Sequence, residues 1–197
     1  MNVHLINAHL NYPNWSEGSL NDAMSETAKA YLAEQGHEIT ETRIEDGYDP
    51  EEEAQRHLDS DVVILQTPIN WFGAPWIYKK YVDEVFNVGL HAKTFLDNDG
   101  RTREDPSRQY GTGGHMQGKK FMIASTWNAP VEAFNNPDGV LFEGKGVDDL
   151  LLNITSNYKF VGYQVLKSFG IYDIFRDTDI AKSIEGYKKH LEEQLAN

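Results

Sequence analysis

The chain has 197 residues and no cysteine. Disulfides, zinc thiolates and iron–sulfur clusters are therefore excluded. Basic residues are scarce: 18 Lys and Arg stand against 31 Asp and Glu, a formal net charge of −13. A protein that grips nucleic acid by its phosphates needs basic patches, and none is visible. The same deficit disfavours anionic membrane surfaces. No apolar run approaches the roughly 20 residues of a membrane span, so no stable membrane anchor is expected. The opening MNVHLINAHLNYPNW has neither a basic n-region nor a small-residue cleavage site. No secretory signal is expected there, and the cytoplasm is the expected compartment. The seven histidines show no H-x-H or H-x-x-x-H spacing, which argues against a metal site.

What is present reads as alternating strands and helices. Asn2–Ala8 is a short apolar strand, and Ser19–Gln35 carries Leu20, Met24, Ala28, Tyr31 and Leu32 at helical spacing before the stop at Gly36. HEITETRI alternates like a strand. The acidic segment Glu45–Asp59 reads as a loop and a solvated helix. Asp61–Thr67 is a near-continuous apolar strand of the kind covered on both faces. Pro75–Phe86 reads as a helix with Pro75 in its first turn. Lys119–Thr126 is another buried strand, and Val147 to Tyr158 a helix. QVLKSFGIYDI holds a last strand, and Ile180 to Leu195 a final helix. This order predicts a single α/β domain over residues 1–197, with a doubly wound five-stranded parallel sheet and helices on both faces. The segment from about 89 to 118 has little apolar periodicity, and loops of that length are usually functional.

Ligands of such sheets bind beyond the carboxyl ends of the strands. Three segments qualify. Ser16, Glu17, Gly18, Ser19, Leu20, Asn21, Asp22 and Ala23 open the first helix. There, free backbone N–H groups and the helix dipole suit an anion, while ordinary capping by Ser16 or Ser19 is the alternative. Ile69, Asn70, Trp71 and Phe72 follow the third strand. Trp71 is expected at the ligand, and Trp76 in the core beneath the next helix. Thr126, Trp127, Asn128 and Ala129 follow the fourth strand and again pair an aromatic with an amide. A phosphate site beside two aromatic, amide-bearing edges suits a flavin better than ATP.

The stretch GTGGHMQGKK, Gly111–Lys120, invites a different reading, since G-x-x-x-x-G-K opens a phosphate-binding loop. Here it precedes a strand instead of following one, and Lys120 stands where Ser or Thr would bind magnesium. Lys119 and Lys120 are expected to face solvent at the amino end of that strand.

Six segments together resemble the modulator of drug activity B family. They are Ser16-x-Gly-x-Leu-Asn21, Pro68-x-x-Trp71-x-Gly-Ala-Pro-Trp76, Asp99-Gly-Arg-Thr-Arg103, Tyr110-Gly-x-Gly-Gly114, Gln117-Gly-Lys-Lys120 and Thr126-Trp-Asn-Ala-Pro130-x-Glu-Ala-Phe134. That family comprises flavodoxin-like NAD(P)H:quinone oxidoreductases. The resemblance implies non-covalent FAD, a homodimer, NADPH or NADH as donor and a quinone as acceptor, reduced by two-electron hydride transfer in a ping-pong cycle. It places the FAD phosphates and ribityl chain on Ser16 to Ala23. Ile69 to Phe72 would line the flavin and Thr126 to Ala129 flank its rings. Backbone N–H groups near Trp71 and Trp127 would stabilise the charge that grows on its pyrimidine edge.

Tyr110 would reach the cofactor from the long loop, as a donor to quinone oxygen or as a packing contact. His115 is a candidate proton donor, against the plainer expectation of a solvent-facing loop histidine. Arg101, Arg103 and Arg108 are candidates for the 2′-phosphate of NADPH or for local ion pairs. The departures from the family are Asn70 before Trp71, and Trp15 before Ser16 where a histidine is expected. A flavodoxin-like electron carrier without its own substrate, or an azo- or nitro-compound reductase, are the alternative readings.

Overall fold

The computed structural model describes residues 1–176 and 178–196. The expected span 1–197 thus includes two residues, 177 and 197, that lie outside the described ones. In chain order the elements are β1 (Asn2–Asn7), α1 (Ser19–Glu34), β2 (Glu38–Arg43), α2 (Pro50–Asp59), β3 (Val62–Pro68) and α3 (Trp76–His91). Then follow β4 (Lys120–Thr126), α4 (Val147–Leu150), α5 (Leu152–Val161), β5 (Gln164–Val165), β6 (Phe169–Ile171) and α6 (Ile180–Leu195). The strands pair in parallel in the order β2-β1-β3-β4-β5, and β6 also pairs with β4. The expected doubly wound sheet is borne out.

Alternation along the strands builds two cores. Val3, Leu5, Val62, Ile64, Met122 and Ala124 pack beneath Met24, Leu32, Tyr187 and Leu191 of α1 and α6. Ile6, Val63, Leu65, Phe121 and Ile123 point to the opposite face, against Tyr81, Val85 and Tyr158 of α3 and α5. Both faces of β3 and β4 are therefore covered, and burying each large aliphatic side chain contributes about 1.5–3 kcal/mol. Phe121 stacks on Tyr158 at 3.4 Å between ring centroids. The chain leaves β1 toward one face and β3 toward the other, so the gap between their carboxyl ends is the natural ligand crevice.

Five details differ from the sequence reading. The last strand is broken into β5 and β6: Leu166 still donates to the Phe121 carbonyl of β4 at 2.8 Å, but Lys167 turns to α6. There Gln194 of α6 accepts from the Lys167 N–H at 3.2 Å, and His190 bonds the Lys167 carbonyl at 2.9 Å. The helix expected from Val147 to Tyr158 breaks at Leu151 into α4 and α5. α3 runs on to His91, so the long loop begins at 92. α2 is not merely solvated, since it buries Glu53, Ala54 and His57. Glu53 accepts from Thr42 at 2.7 Å and Tyr81 at 2.8 Å and meets His4 at 3.2 Å. His57 bonds Tyr163 and Tyr81, each at 3.1 Å. Lys119 does not point freely to solvent either. Its ammonium donates to the Leu58 and Ser60 carbonyls, each at 2.6 Å, and so closes the carboxyl end of α2.

Candidate active site

The crevice is built around Gly18. This residue caps α1 at φ 78°, and no side chain caps the helix. Capping by Ser16 or Ser19 is thereby excluded. Among the described residues the N–H groups of Ser19, Leu20 and Asn21 carry no hydrogen bond, while the Gly18 carbonyl takes the Asp22 N–H at 2.9 Å. Three donors thus face outward at the positive end of a 16-residue helix, the arrangement an anion needs. His9 packs against Gly18 so closely that a Cβ there would sit well inside 3.0 Å of its ring atoms. His9 is 4% exposed, and its Nε2 has no partner among the described residues. Burial holds its imidazole below the usual histidine value, against the opposing pull of the Asp22 and Glu45 carboxylates. An unpartnered ring nitrogen beside three free amides is a site for an anionic oxygen. Sequence reasoning missed His9, because a lone histidine gives no signal until the fold brings Gly18 against it.

The other residues of this segment divide into ligand-facing and bracing groups. Ser16 folds its backbone onto Tyr12 through two hydrogen bonds of 2.9 Å, and Glu17, Ser19 and Ala23 are exposed at the cavity. Asn21 is buried and joins Gln66 at 2.9 Å and Thr126 at 3.4 Å, tying α1 to β3 and β4. Asp22 is held by Arg43 at 2.8 Å. The side chains of Asn21 and Asp22 are thus committed to the protein, although the Asn21 N–H remains free.

The second segment bends sharply. Trp71 and Phe72 adopt φ of 50° and 67°, a left-handed pair without glycine. Such residues cost on the order of 1–2 kcal/mol each. The bend is locked by paired Asn70 and Gly73 backbone bonds of 2.8 and 3.2 Å, and Ile69 donates to the Thr126 carbonyl at 2.9 Å. The result lifts the Trp71 ring to 93% exposure. Phe72 leans edge-on against Phe142. Trp76, expected in the core, is instead 64% exposed on the outer face of α3.

In the third segment Trp127 lines the largest cavity of the rim from below. It is 2% exposed, its indole donates to Ser125 at 2.8 Å, and its backbone N–H is taken by the Ile171 carbonyl at 2.8 Å. It forms the base of the site but offers no free donor. The open N–H groups are those of Trp71, Phe72 and Asn128, none of which is bonded among the described residues.

Three adjoining cavities run through this rim. One of about 430 Å³ lies over Ser16–Asn21, flanked by Trp15, Ala23, Phe175 and Ile180. The next, of about 390 Å³, shares Trp15, Ser16, Asn21 and Phe175 and reaches Asn70, Trp71, Thr126 and Asn128. The last, of about 560 Å³, continues past Trp71 and Asn128 to Phe72, Ala129, Phe142, Asp173 and Arg176. A fourth region, Asp173, Ile174, Phe175, Arg176 and Ile180, therefore helps line the whole groove. The carboxyl-end rule would have found it, had it been applied to the last strand too.

Tyr110 and His115 lie elsewhere. His115 donates its backbone N–H to Phe95 at 2.7 Å, Met116 donates to Val161 at 2.9 Å, and Tyr110 packs on Phe160. All of these stand at the amino end of β4. Its seven residues separate that end from the rim by about 20 Å, too far for either side chain to reach its own chain's crevice. Arg101 bonds Asp99 at 3.0 Å and lies over the Tyr110 ring, so its partner is local.

The chain belongs to the flavodoxin-like fold family. Its family profile matches residues 1–195. The NADPH:quinone oxidoreductase MdaB of Haemophilus influenzae is 42% identical over 177 residues, covering 90% of this chain and 91% of that protein. The resemblance to the modulator of drug activity B family therefore stands. Among solved structures, a candidate quinone reductase from Klebsiella pneumoniae superposes with a TM-score of 0.77 at 23% identity, covering 98% of this chain and 84% of that one. General stress protein 14 of Treponema denticola, solved with FMN, superposes with a TM-score of 0.67 at 18% identity over 98% of both chains. These two likenesses concern the fold. No helix among the described residues is long and apolar enough to cross a membrane.

Proposed function

We propose that the chain is an FAD-dependent NAD(P)H:quinone oxidoreductase of the cytoplasm, a single domain that acts as a homodimer with ping-pong kinetics. Quinone reduction is what the 42% identical relative is named for. The observation that carries the cofactor assignment is the groove, continuous from the bare start of α1 to the Trp71–Asn128 edge. Beyond the amide cluster it extends along Leu20, Ala23, Phe175 and Ile180, an apolar bay that suits an adenine ring. FMN ends at its phosphate and would leave that bay to water.

A flavin, when bound, accepts hydride from NAD(P)H and delivers it to the acceptor. The protein's residues do the rest. The Ser19, Leu20 and Asn21 amides and His9 hold the phosphates. Trp71 and Phe72 wall the ring system, and the Asn128 N–H stabilises negative charge at its edge. Phe142 and Leu141 keep water from the 560 Å³ slot, where coenzyme and quinone take turns. That shared slot is the reason for ping-pong order. Tyr110 and His115 enter only from a second copy, whose long loop would cover this rim.

The deciding experiment is the absorption spectrum of the purified protein, with chromatography of the released cofactor and NADPH oxidation in the presence of menadione. Bound FAD and quinone-dependent NADPH consumption are expected. Released FMN would refute the adenine bay. Flavin without NADPH consumption would point to an electron carrier, and a colourless protein that takes up neither flavin would end the proposal.

A further inference from the structure

We propose that Arg176 recognises the 2′-phosphate of NADPH and so sets the donor preference of the site; the inference rests on the quinone-reductase reading above. The chain has six arginines. Arg43 is bonded to Asp22 at 2.8 Å and Arg56 to Glu53 at 2.8 Å. Arg101, Arg103 and Arg108 belong to the long loop at the amino end of the sheet. Arg176 is the arginine that lines the wide cavity at the carboxyl rim. Among the described residues it is the one cationic side chain lining the three cavities of the groove.

Its position in that groove is specific. Arg176 lines the wide cavity together with Trp71, Phe72, Asn128 and Phe142, where a coenzyme would stack, and not the cavity over the start of α1. Its backbone is fixed. The Arg176 N–H bonds the Asp173 carbonyl at 3.0 Å, and Asp173 sits at φ 54°. Asp173 and Ile174 donate in turn to the Ala129 and Trp127 carbonyls at 3.1 and 3.2 Å. Thr178 donates to the Tyr172 and Asp173 carbonyls at 2.6 and 2.8 Å. The turn that presents the guanidinium is thereby tied to the loop that presents Asn128.

Charge then gives the residue its role. The chain carries −13, and Asp173 faces the same cavity. A dianionic phosphate entering here meets repulsion unless a fixed cation receives it. Guanidinium is the group best matched to phosphate, through paired N–H donors. NADH lacks that phosphate and gains nothing comparable from Arg176.

The test is Arg176→Gln in the flavin-loaded protein, with menadione as acceptor. The ratio of kcat/KM for NADPH to that for NADH should fall about tenfold to a hundredfold, the scale of hydrogen bonds to a charged group. Titration with NADP⁺ and NAD⁺ should show the same selective loss in affinity without turnover. Bound flavin per protein should stay as in the parent. Equal losses with both coenzymes, an unaltered ratio, or loss of flavin would each overturn the inference. So would the selective loss appearing instead in Arg103→Gln or Arg108→Gln, the rival cations of the long loop. A parent protein that binds flavin but consumes neither coenzyme would refute the reductase reading itself, a result distinct from any of these.

Discussion

Gly18→Ala separates two ways in which one atom can damage the phosphate site. The first is conformational: φ of 78° is left-handed, and an L-residue there costs about 1–2 kcal/mol. The second is steric. The new Cβ would fall well inside 3.0 Å of the His9 ring, and His9 is buried, so the ring has no open space to swing into. Overpacking of this kind costs about 1–3 kcal/mol. Together the variant should lose about 2–5 kcal/mol. Each kcal/mol lowers Tm by about 2–4 °C in a chain of this size. Thermal melts of the flavin-free protein measure this loss, and FAD titration should show weakened binding if the displaced ring holds a phosphate as proposed. The double variant His9→Ala/Gly18→Ala isolates the parts. Without the ring only the conformational cost of about 1–2 kcal/mol should remain relative to His9→Ala. If Gly18→Ala costs as much in the His9→Ala background as in the parent, the close packing of His9 on Gly18 is not what makes this glycine necessary.

Two further predictions concern the scaffold. Burial pushes His57 down to about 3, whereas the unfolded chain protonates it near 6.5. Burial alone would raise the Glu53 carboxyl, but donors at His4, Thr42 and Tyr81 hold it at about 2, against an ordinary 4.5. Between pH 6.5 and 3 the unfolded state therefore holds a proton that the folded His57 refuses, and below 4.5 a second that Glu53 refuses. Stability should fall as pH falls, His57 alone contributing a slope of about 1.4 kcal/mol per pH unit. Urea unfolding of His57→Gln from pH 6 to 4.5 should be flatter by that amount; an unaltered slope would show that His57 does not titrate as argued. Lys119→Met should lose about 1–3 kcal/mol, since the Leu58 and Ser60 carbonyls forfeit a charged donor, while flavin content holds. Reduced flavin at an unchanged Tm would contradict the structural role.

The sheet was legible because β3 and β4 are apolar on both faces, and only a doubly covered parallel sheet demands that. The break between β5 and β6 was not, since the Lys167 backbone is paired by side chains of α6, far away in sequence. The placement of the two tryptophans is a matter of phase. Trp127 continues the inward alternation of Phe121 and Ile123, so two-residue counting places it in the core. Trp76 lies off the Tyr78–Tyr81–Val82–Val85 stripe of α3, so helical counting turns it outward. Strand direction also fixes the loop that precedes β4 at the strand's amino end. Tyr110 could not share a rim with Asn128 in one chain. His9 and Arg176 became visible only when packing set one against Gly18 and the other opposite Trp71.

The left-handed pair Trp71–Phe72 has a consequence for anyone who evolves this protein in the laboratory. The bend stores strain that the folded chain would shed if Gly or Asn replaced either residue. A library selected for heat resistance alone would therefore drift toward those replacements and discard the aromatic wall. Surviving clones would be sturdier and, on the proposed flavin-binding role, pale, so such a selection must score colour alongside survival.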